Sequence, residues 1–200
     1  MDAPDCPTLE TVRRYDATAE RYLEGTIDRE LIRVNLERFT DCLPPGGLVL
    51  DIGCGPGFDA ALLRSAGFRA VGVDLSSAMI TLGRERFPGR FVRADMRQLP
   101  FCQVADGLWV NASLLHLLRK DVPGTLAQFW TALKHGGILF LTVKDGTGEG
   151  WDNRASRRDT TRWFTYWEAS ALENVVVEAG FETVSVWSNG QWVKCIAKKR

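Results

Sequence analysis

The 200-residue chain contains no apolar run near the roughly 20 residues that a membrane-spanning helix requires. It also lacks a surplus of either charge: 25 basic and 25 acidic residues cancel, and the pI is ≈ 6.7. A balanced chain lacks the basic field that draws proteins to nucleic acid or to anionic membrane. Histidine is scarce, with His116 and His135 far apart. The five cysteines (Cys6, Cys42, Cys54, Cys102 and Cys195) are odd in number and form no C-x-x-C pair. Neither a zinc site nor a disulfide framework is expected from such spacing. The opening residues MDAPDCPTLE carry acids and prolines where a secretory leader places a basic region and an apolar run. The sequence also lacks internal repeats, low-complexity tracts and interdomain linkers. The expectation is one cytoplasmic domain spanning 1–200, with no metal and no membrane attachment.

What is present is an ordinary globular composition, 45% hydrophobic and 25% charged, enough to bury a single core. Residues 8–43 read as helical, because Ile27, Leu31, Leu36, Phe39 and Leu43 recur at three- to five-residue intervals. Pro44-Pro45-Gly46-Gly47 stops the pattern. Leu48 to Ile52 is then a short continuous apolar run, the mark of a parallel strand buried on both faces. Helix is predicted for Phe58 to Ala66, strand for Arg69 to Val73, and helix for Ser76 to Phe87 with Ser76 or Ser77 as cap. Further strands are predicted at Arg90 to Arg93, Gly107 to Asn111 and Gly137 to Val143. A helix from Val122 to Lys134 is predicted to end at His135-Gly136-Gly137, where the histidine suits the dipole. Glu168 to Ala179 reads as helix. Phe181 to Trp187 and Gln191 to Ala197 read as a hairpin turning at Ser188-Asn189-Gly190. The fold class is therefore α/β: a doubly wound, mostly parallel sheet finished by an antiparallel hairpin strand.

The informative segment is Asp51-Ile52-Gly53-Cys54-Gly55-Pro56-Gly57, at the turn from the first strand into the first helix of the alternating part. Glycines at alternate positions admit a ligand to the backbone, and the following helix offers free N–H groups. A dinucleotide pyrophosphate wants G-x-G-x-x-G. Here the spacing is G-x-G-x-G, Pro56 removes a donor, and Asp51 would repel a pyrophosphate but accept from an ammonium. The ligand implied carries an amino group and a carboxylate, as does the methionine end of S-adenosylmethionine. Asp74, ending the second strand, can accept ribose hydroxyls. After the third strand, Asp95 can take an adenine amino group while Met96 packs on the ring.

On these residues the sequence resembles the class I S-adenosylmethionine-dependent methyltransferases. VLDIGCGPG matches their first motif, GVDLS the ribose-binding motif, ADMRQLPF the adenine-binding segment and LKHGGILFLTV the fifth strand with its approach. Tyr15-Asp16-x-x-Ala19-x-x-Tyr22 resembles the N-terminal helix that closes the cofactor pocket, so residues 1–43 are expected to cover it. The resemblance implies a Rossmann-like sheet of seven strands with the last antiparallel. Carried over residue by residue, it implies that Tyr15, Tyr22, Asp51, Gly53, Cys54, Gly55, Gly57, Asp74, Leu75, Ser76, Ala94, Asp95, Met96, Asn111 and Ala112 hold S-adenosylmethionine, with S-adenosylhomocysteine as product. More narrowly, Ala112-Ser113-Leu114-Leu115-His116-Leu117, Lys144-x-Gly146-x-Gly148-Glu149 and Arg162-x-Phe164 resemble a bacterial tellurite-resistance-type subgroup, whose label says little about substrate.

The chemistry expected is in-line displacement, which needs chiefly a well-placed nucleophile. His116, just past the fourth strand, is the base candidate, and Lys144, past the fifth, is assigned a catalytic role beside it. Ser113, Glu149, Arg162, Phe164 and Tyr166 are the candidate acceptor-binding residues. Residues 145–167, rich in Arg (Arg154, Arg157, Arg158, Arg162) and Trp (Trp151, Trp163, Trp167), read either as a lid over an anionic or aromatic molecule or as a solvated loop. Asn111-Ala112-Ser113-Leu114 lacks the Pro-Pro pair that holds a nucleic-acid base. The expected acceptor is a small molecule methylated on O or N, by a monomer or homodimer that engages no nucleic acid. The alternatives are a nucleic-acid or protein methyltransferase, or a cofactor-binding protein of this fold that transfers no methyl.

Overall fold

The structure is a computed structural model that describes residues 6–24, 29–152 and 161–200, and for 23, 24 and 29–31 the backbone alone. Ile27, Arg154, Arg157 and Arg158 lie outside the described residues, as does the side chain of Leu31. The helical N-terminal part is three helices rather than one, α1 (Pro7–Ala17), α2 (Ala19–Glu24) and α3 (Arg29–Thr40). The break falls at Thr18, whose N–H turns back to the Tyr15 carbonyl at 3.2 Å and whose hydroxyl donates to the Arg14 carbonyl at 2.8 Å. A side chain that bonds its own backbone competes with helix continuation.

Alternation then sets the architecture: β1 (Leu48–Ile52), α4 (Phe58–Ser65), β2 (Arg69–Asp74), α5 (Ser77–Arg86), β3 (Arg90–Arg93) and β4 (Ala105–Asn111). It continues through α6 (Val122–Ala132), β5 (Leu133–Lys144), β6 (Glu149–Asp152), β7 (Arg162–Thr165), α7 (Ala169–Glu178), β8 (Phe181–Ser188) and β9 (Trp192–Lys199). Seven strands form one sheet in the order β3-β2-β1-β4-β5-β9-β8. The β1–β2, β1–β4, β2–β3 and β4–β5 pairs are parallel, and β9 runs antiparallel to both β5 and β8. The seven-stranded, mostly parallel sheet with an antiparallel last strand is the expected one. Ser76 caps α5, accepting from Met79 N at 3.1 Å.

Two local expectations need correction. α6 ends at Ala132, and His135 lies on β5 with its side chain exposed rather than at a helix terminus. Leu133 is already extended and paired with Ala105, and the register jumps to Gly107↔Ile138. Residues 134–137 therefore form an irregularity in the strand. The second correction is the ribbon of β6 and β7, antiparallel and separate from the main sheet, in a segment read as lid or loop.

The core lies on both faces of the sheet. On one, Trp109 stacks on Phe140 with ring centroids 4.1 Å apart, and Phe39 of α3 covers both. On the other, Leu50, Leu108, Leu139, Leu126 and Phe129 are fully buried. Burying each such side chain contributes about 1.5–3 kcal/mol, which anchors the strand ends where the site forms. Among the described residues no helix is long and apolar enough to cross a membrane.

Candidate functional site

The carboxyl ends of β1, β2, β4 and β5 open into one cavity of about 410 Å³, a usual size for a small-molecule site. A crevice at this edge, where strand order reverses, is where open α/β sheets take ligands.

The glycine loop forms its floor. Gly53 has φ +71°, and a Cβ there would stand 2.2 Å from Ser113 Cβ, so no other residue fits without displacing the β4 exit loop. Ser113 is held in turn, its hydroxyl donating to the Ile52 carbonyl at 2.7 Å. Asp74 locks the loop from the side: Oδ2 accepts from Gly55 N at 2.7 Å and Oδ1 from Ser76 N at 2.8 Å. Gly57 is not among the cavity-lining residues. It sits at the N-cap of α4 with φ +87°, where a Cβ would meet the Phe91 ring at 2.5 Å. There it packs the start of α4 against Phe91.

Three carboxylates gather around this floor. Asp51 is 2% exposed and its Oδ2 has no hydrogen-bond partner. Burial, with the nearby charge of Asp59, pushes its carboxyl well above the ordinary carboxylate range. Asp59 of α4 is better satisfied, accepting from Trp109 Nε1 at 2.7 Å and Asn111 Nδ2 at 2.9 Å, although burial raises it too. Burial likewise raises Asp74, against its backbone donors. An orphaned buried carboxylate beside a second one is costly unless a cation arrives. The cavity therefore favours a ligand with a positive group at this end.

Leu75, Ser76, Ala94, Asp95, Met96, Asn111 and Ala112 also line the cavity, with Tyr15, Tyr22, Cys54 and Gly55. Asp95 is spoken for: the Arg97 guanidinium grips it, with Nη2 2.7 Å from Oδ2. That pairing holds its carboxyl below the ordinary value, against the burial that would raise it. Ala112 has φ +53°, in the left-handed region. Its N–H donates to Thr142 Oγ1 at 2.8 Å, and Thr142 donates to Asn111 Oδ1 at 2.7 Å. This chain ties the ends of β4 and β5 together and fixes a conformation that costs on the order of 1 kcal/mol or more.

α1 closes the opposite wall. Thr8 Oγ1 donates to the His116 carbonyl at 3.1 Å, and Trp163 N donates to Thr11 Oγ1 at 3.1 Å. His116 lies between Tyr15 and β7. Its Nδ1 is 2.8 Å from the Trp163 carbonyl and its Nε2 is 2.9 Å from Tyr15 Oη. A carbonyl only accepts, so Nδ1 carries the proton and Nε2 accepts from the tyrosine hydroxyl. Burial, aided by the Arg162 charge, pushes the imidazole down to about 4, so it is neutral at physiological pH. Burial pushes the Tyr15 hydroxyl upward, so it remains a donor.

Of the other predicted site residues, Ser113 lines the cavity, and Lys144, Glu149, Arg162, Phe164 and Tyr166 do not. Lys144 Nζ lies 3.9 Å from the Trp192 ring centroid and braces that ring. Glu149 accepts from Arg119 N at 2.7 Å. The Arg162 guanidinium stacks 4.2 Å over Tyr15, and Phe164 packs 5.0 Å from His116. Tyr166 donates to Asp152 and accepts from Arg119 at its carbonyl. Arg162 and Phe164 thus back Tyr15 and His116, Glu149 and Tyr166 bond to Arg119, and Lys144 braces Trp192, while the ribbon packs against α1. No described residue of 145–167 lines the cavity.

Sequence reading missed several lining residues: Asn35, Asp59, Thr142, Trp192 and Lys194 among them. An acid in a first helical turn is ordinary, so Asp59 sends no signal. Lys194 does send one, as a cation inside the apolar strand Trp192-Val193-Lys194-Cys195-Ile196-Ala197. Among the described residues no group of three or more His, Cys, Asp or Glu is placed to hold a metal ion.

The protein-family model described as a methyltransferase domain matches residues 49–137. Malonyl-[acyl-carrier protein] O-methyltransferase of Serratia marcescens is 31% identical over 113 residues, which is 54% of this chain and 44% of that protein. Trans-aconitate 2-methyltransferase of Variovorax paradoxus is 35% identical over 111 residues, 54% of this chain and 42% of that protein. The alignments thus span less than half the length of these relatives. Among solved structures, a Burkholderia thailandensis 1,6-didemethyltoxoflavin-N1-methyltransferase with bound 1,6-didemethyltoxoflavin and S-adenosylhomocysteine superposes with a TM-score of 0.77 at 22% identity. That superposition covers 100% of this chain and 93% of the other, and it speaks for the fold.

Proposed function

We propose that this chain, which belongs to the class I S-adenosylmethionine-dependent methyltransferases, moves a methyl group from S-adenosylmethionine to O or N of a small-molecule acceptor. The observation that carries the cofactor reading is the orphaned Asp51 Oδ2, buried at the floor beside the Gly53–Gly55 turn. An amino group beside Asp51 would favour its charged form, which burial and the charge of Asp59 disfavour. The same end leaves lone pairs on Asp74 for ribose hydroxyls and lays Met96 and Leu75 along the wall where a flat base would pack. Bound there, S-adenosylmethionine supplies an electrophilic methyl on its sulfonium.

The residues do the rest by position. α1, pinned to the β7 region through Thr11 and to the His116 carbonyl through Thr8, shields the cavity from water with Tyr15 and Tyr22. A nucleophile held against Tyr15 would find a hydroxyl already bonded to a neutral imidazole. A proton leaving the acceptor could pass to Tyr15 as Tyr15 passes its own to His116 Nε2, and the Trp163 carbonyl keeps the imidazole in the tautomer that can receive it. His116 would thus act through Tyr15 rather than directly. Of the relatives, the one named for trans-aconitate supports a small acceptor, and the one named for malonyl-[acyl-carrier protein] adds an acid group borne on a carrier protein.

Calorimetric titration with S-adenosylmethionine and, separately, NAD tests this reading, comparing the wild type with Asp74→Ala. The expected result is micromolar-range binding of S-adenosylmethionine, weakened about a hundredfold in the variant, and no binding of NAD. Binding of NAD alone would overturn it. Methylated product formed solely with a macromolecule would overturn the choice of acceptor.

A further inference from the structure

The cavity is oppositely charged at its two ends. Asp51 and Asp74 lie at the ends of β1 and β2 and Asp59 is held on β4, while Lys194 lines the cavity from β9, beyond β5. Lys194 stands opposite Thr142 in the β5–β9 register and is 3% exposed. Its ammonium makes no hydrogen bond or ion pair among the described residues. Its charged neighbour is Arg38 of α3, which repels it: burial, with that repulsion, lowers its hold on its proton. Both cations lie near the Trp187 ring, at 5.3 Å for Arg38 and 6.0 Å for Lys194.

The contrast with Lys199, on the same strand, shows that this is not how the fold treats a buried lysine. Lys199 is 7% exposed and donates to the carbonyls of Trp130 at 2.6 Å and Leu133 at 2.8 Å. A structural lysine finds acceptors, because an unpaired buried ammonium costs several kcal/mol. Lys194 finds none among the described residues: its stem is covered, and its ammonium opens into the cavity. Asn35 of α3 is 6% exposed, lines the same cavity and likewise has no hydrogen-bond partner among the described residues. Trp192, its ring braced by Lys144, supplies an apolar wall beside them.

We propose that Lys194 is the counter-ion for an anionic oxygen group on the acceptor, a carboxylate, with Asn35 as a second donor and Trp192 packing on its carbon skeleton. The cofactor's cationic part then belongs at the aspartate end and the acceptor's anion at the lysine end, so charge alone orients the pair. This rests on the methyl-transfer reading and narrows its acceptor to organic acids.

The test uses protein saturated with S-adenosylhomocysteine, titrated calorimetrically with succinate, benzoate and inorganic phosphate, and with succinamide and benzamide as uncharged counterparts. At least one carboxylate should bind tenfold or more tighter than its amide. Lys194→Met should remove about tenfold or more of that affinity, Lys194→Arg should keep most of it, and S-adenosylhomocysteine affinity should be unchanged in both. Without ligand, Lys194→Met should melt no lower than the wild type, because no hydrogen bond or ion pair among the described residues is lost and an apolar chain of similar length keeps the packing of the covered stem; a purely structural lysine would lose stability. Binding of phosphate in place of the carboxylates would keep the counter-ion and move the class to phosphorylated acceptors. Equal binding of acids and amides, no binding by either acid or phosphate, or full affinity in Lys194→Met would overturn the proposal. Failure of S-adenosylhomocysteine to bind the wild type would count against the cofactor reading instead.

Discussion

The floor of the cavity is drawn largely from three short stretches of sequence, 51–59, 73–76 and 94–96, whereas the acceptor end takes a few residues each from α1, α3, the loop after β4, β5 and β9. At the floor, backbone shape carries the function: a left-handed Gly53, amides fixed on Asp74 and a capped α5. At the far end, the proposed function rests on side-chain chemistry, through a neutral imidazole bonded to Tyr15 and an ammonium with no partner among the described residues. A ligand-binding loop whose shape is its function tolerates little change. A wall that selects an acceptor can be rebuilt by substitution while the fold stands.

Gly53→Ala should break the floor most severely. The added Cβ meets Ser113 and imposes strain at φ +71°. The expected cost is on the order of 3 kcal/mol, read as a lowered melting temperature, together with loss of S-adenosylhomocysteine binding by calorimetry. Gly53→Ala with Ser113→Gly should recover part of the stability, since it relieves the clash but not the backbone strain. If Gly53→Ala binds normally, the floor is not set by backbone shape.

At the other end, His116→Gln should lower turnover about a hundredfold while leaving cofactor affinity nearly unchanged. Equal losses in both would mean that His116 merely holds the pocket together. The same variant should alter acid stability. The fold holds this imidazole at about 4 against an ordinary 6.5, so the unfolded chain binds its proton first. The stability contributed by the neutral ring is complete above pH 6.5 and drains away as pH falls to about 4. Melting curves across that window should fall more steeply for the wild type than for His116→Gln.

The smallest effect is expected from Ser76→Ala, back at the floor. It removes the α5 cap from Met79 and the contact with Asp16 Oδ1 at 2.6 Å. The cost should be about 1 kcal/mol, a shift of roughly 2–4 °C for a chain of this size, with cofactor binding weakened far less than in Gly53→Ala.

How much could be read in advance follows the same division. The sheet and its antiparallel last strand were legible because buried strands must be continuous apolar runs and hairpins need turn residues such as Asn189-Gly190. The end of α6 was not legible, since Lys134 and His135 suit a helix terminus as well as they suit a strand irregularity; pairing of Leu133 with Ala105 decided it. That Asp51, Asp74 and Asp95 would share one sheet edge was legible, because they fall at the ends of β1 and β2 and just after β3, and all three line the cavity. Lys144, Glu149, Arg162, Phe164 and Tyr166 do not line the cavity: Lys144 turns to the Trp192 ring beside it in the β5–β9 register, and the others follow the β6–β7 ribbon, which packs on α1.

By itself, then, the sequence determined the order of elements, the glycine turn and the acids that follow each strand, since those depend on residues adjacent in the chain. Which side chains face one another across the cavity depended on strand order and on where α1 and α3 dock. Tyr15 meets His116 across 101 positions and Trp163 meets Thr11 across 152, while among the described residues Lys194 meets no carboxylate. Local propensity carries no information about such contacts. Tertiary packing alone covered the stem of Lys194 and turned its ammonium, without a partner among the described residues, into the cavity.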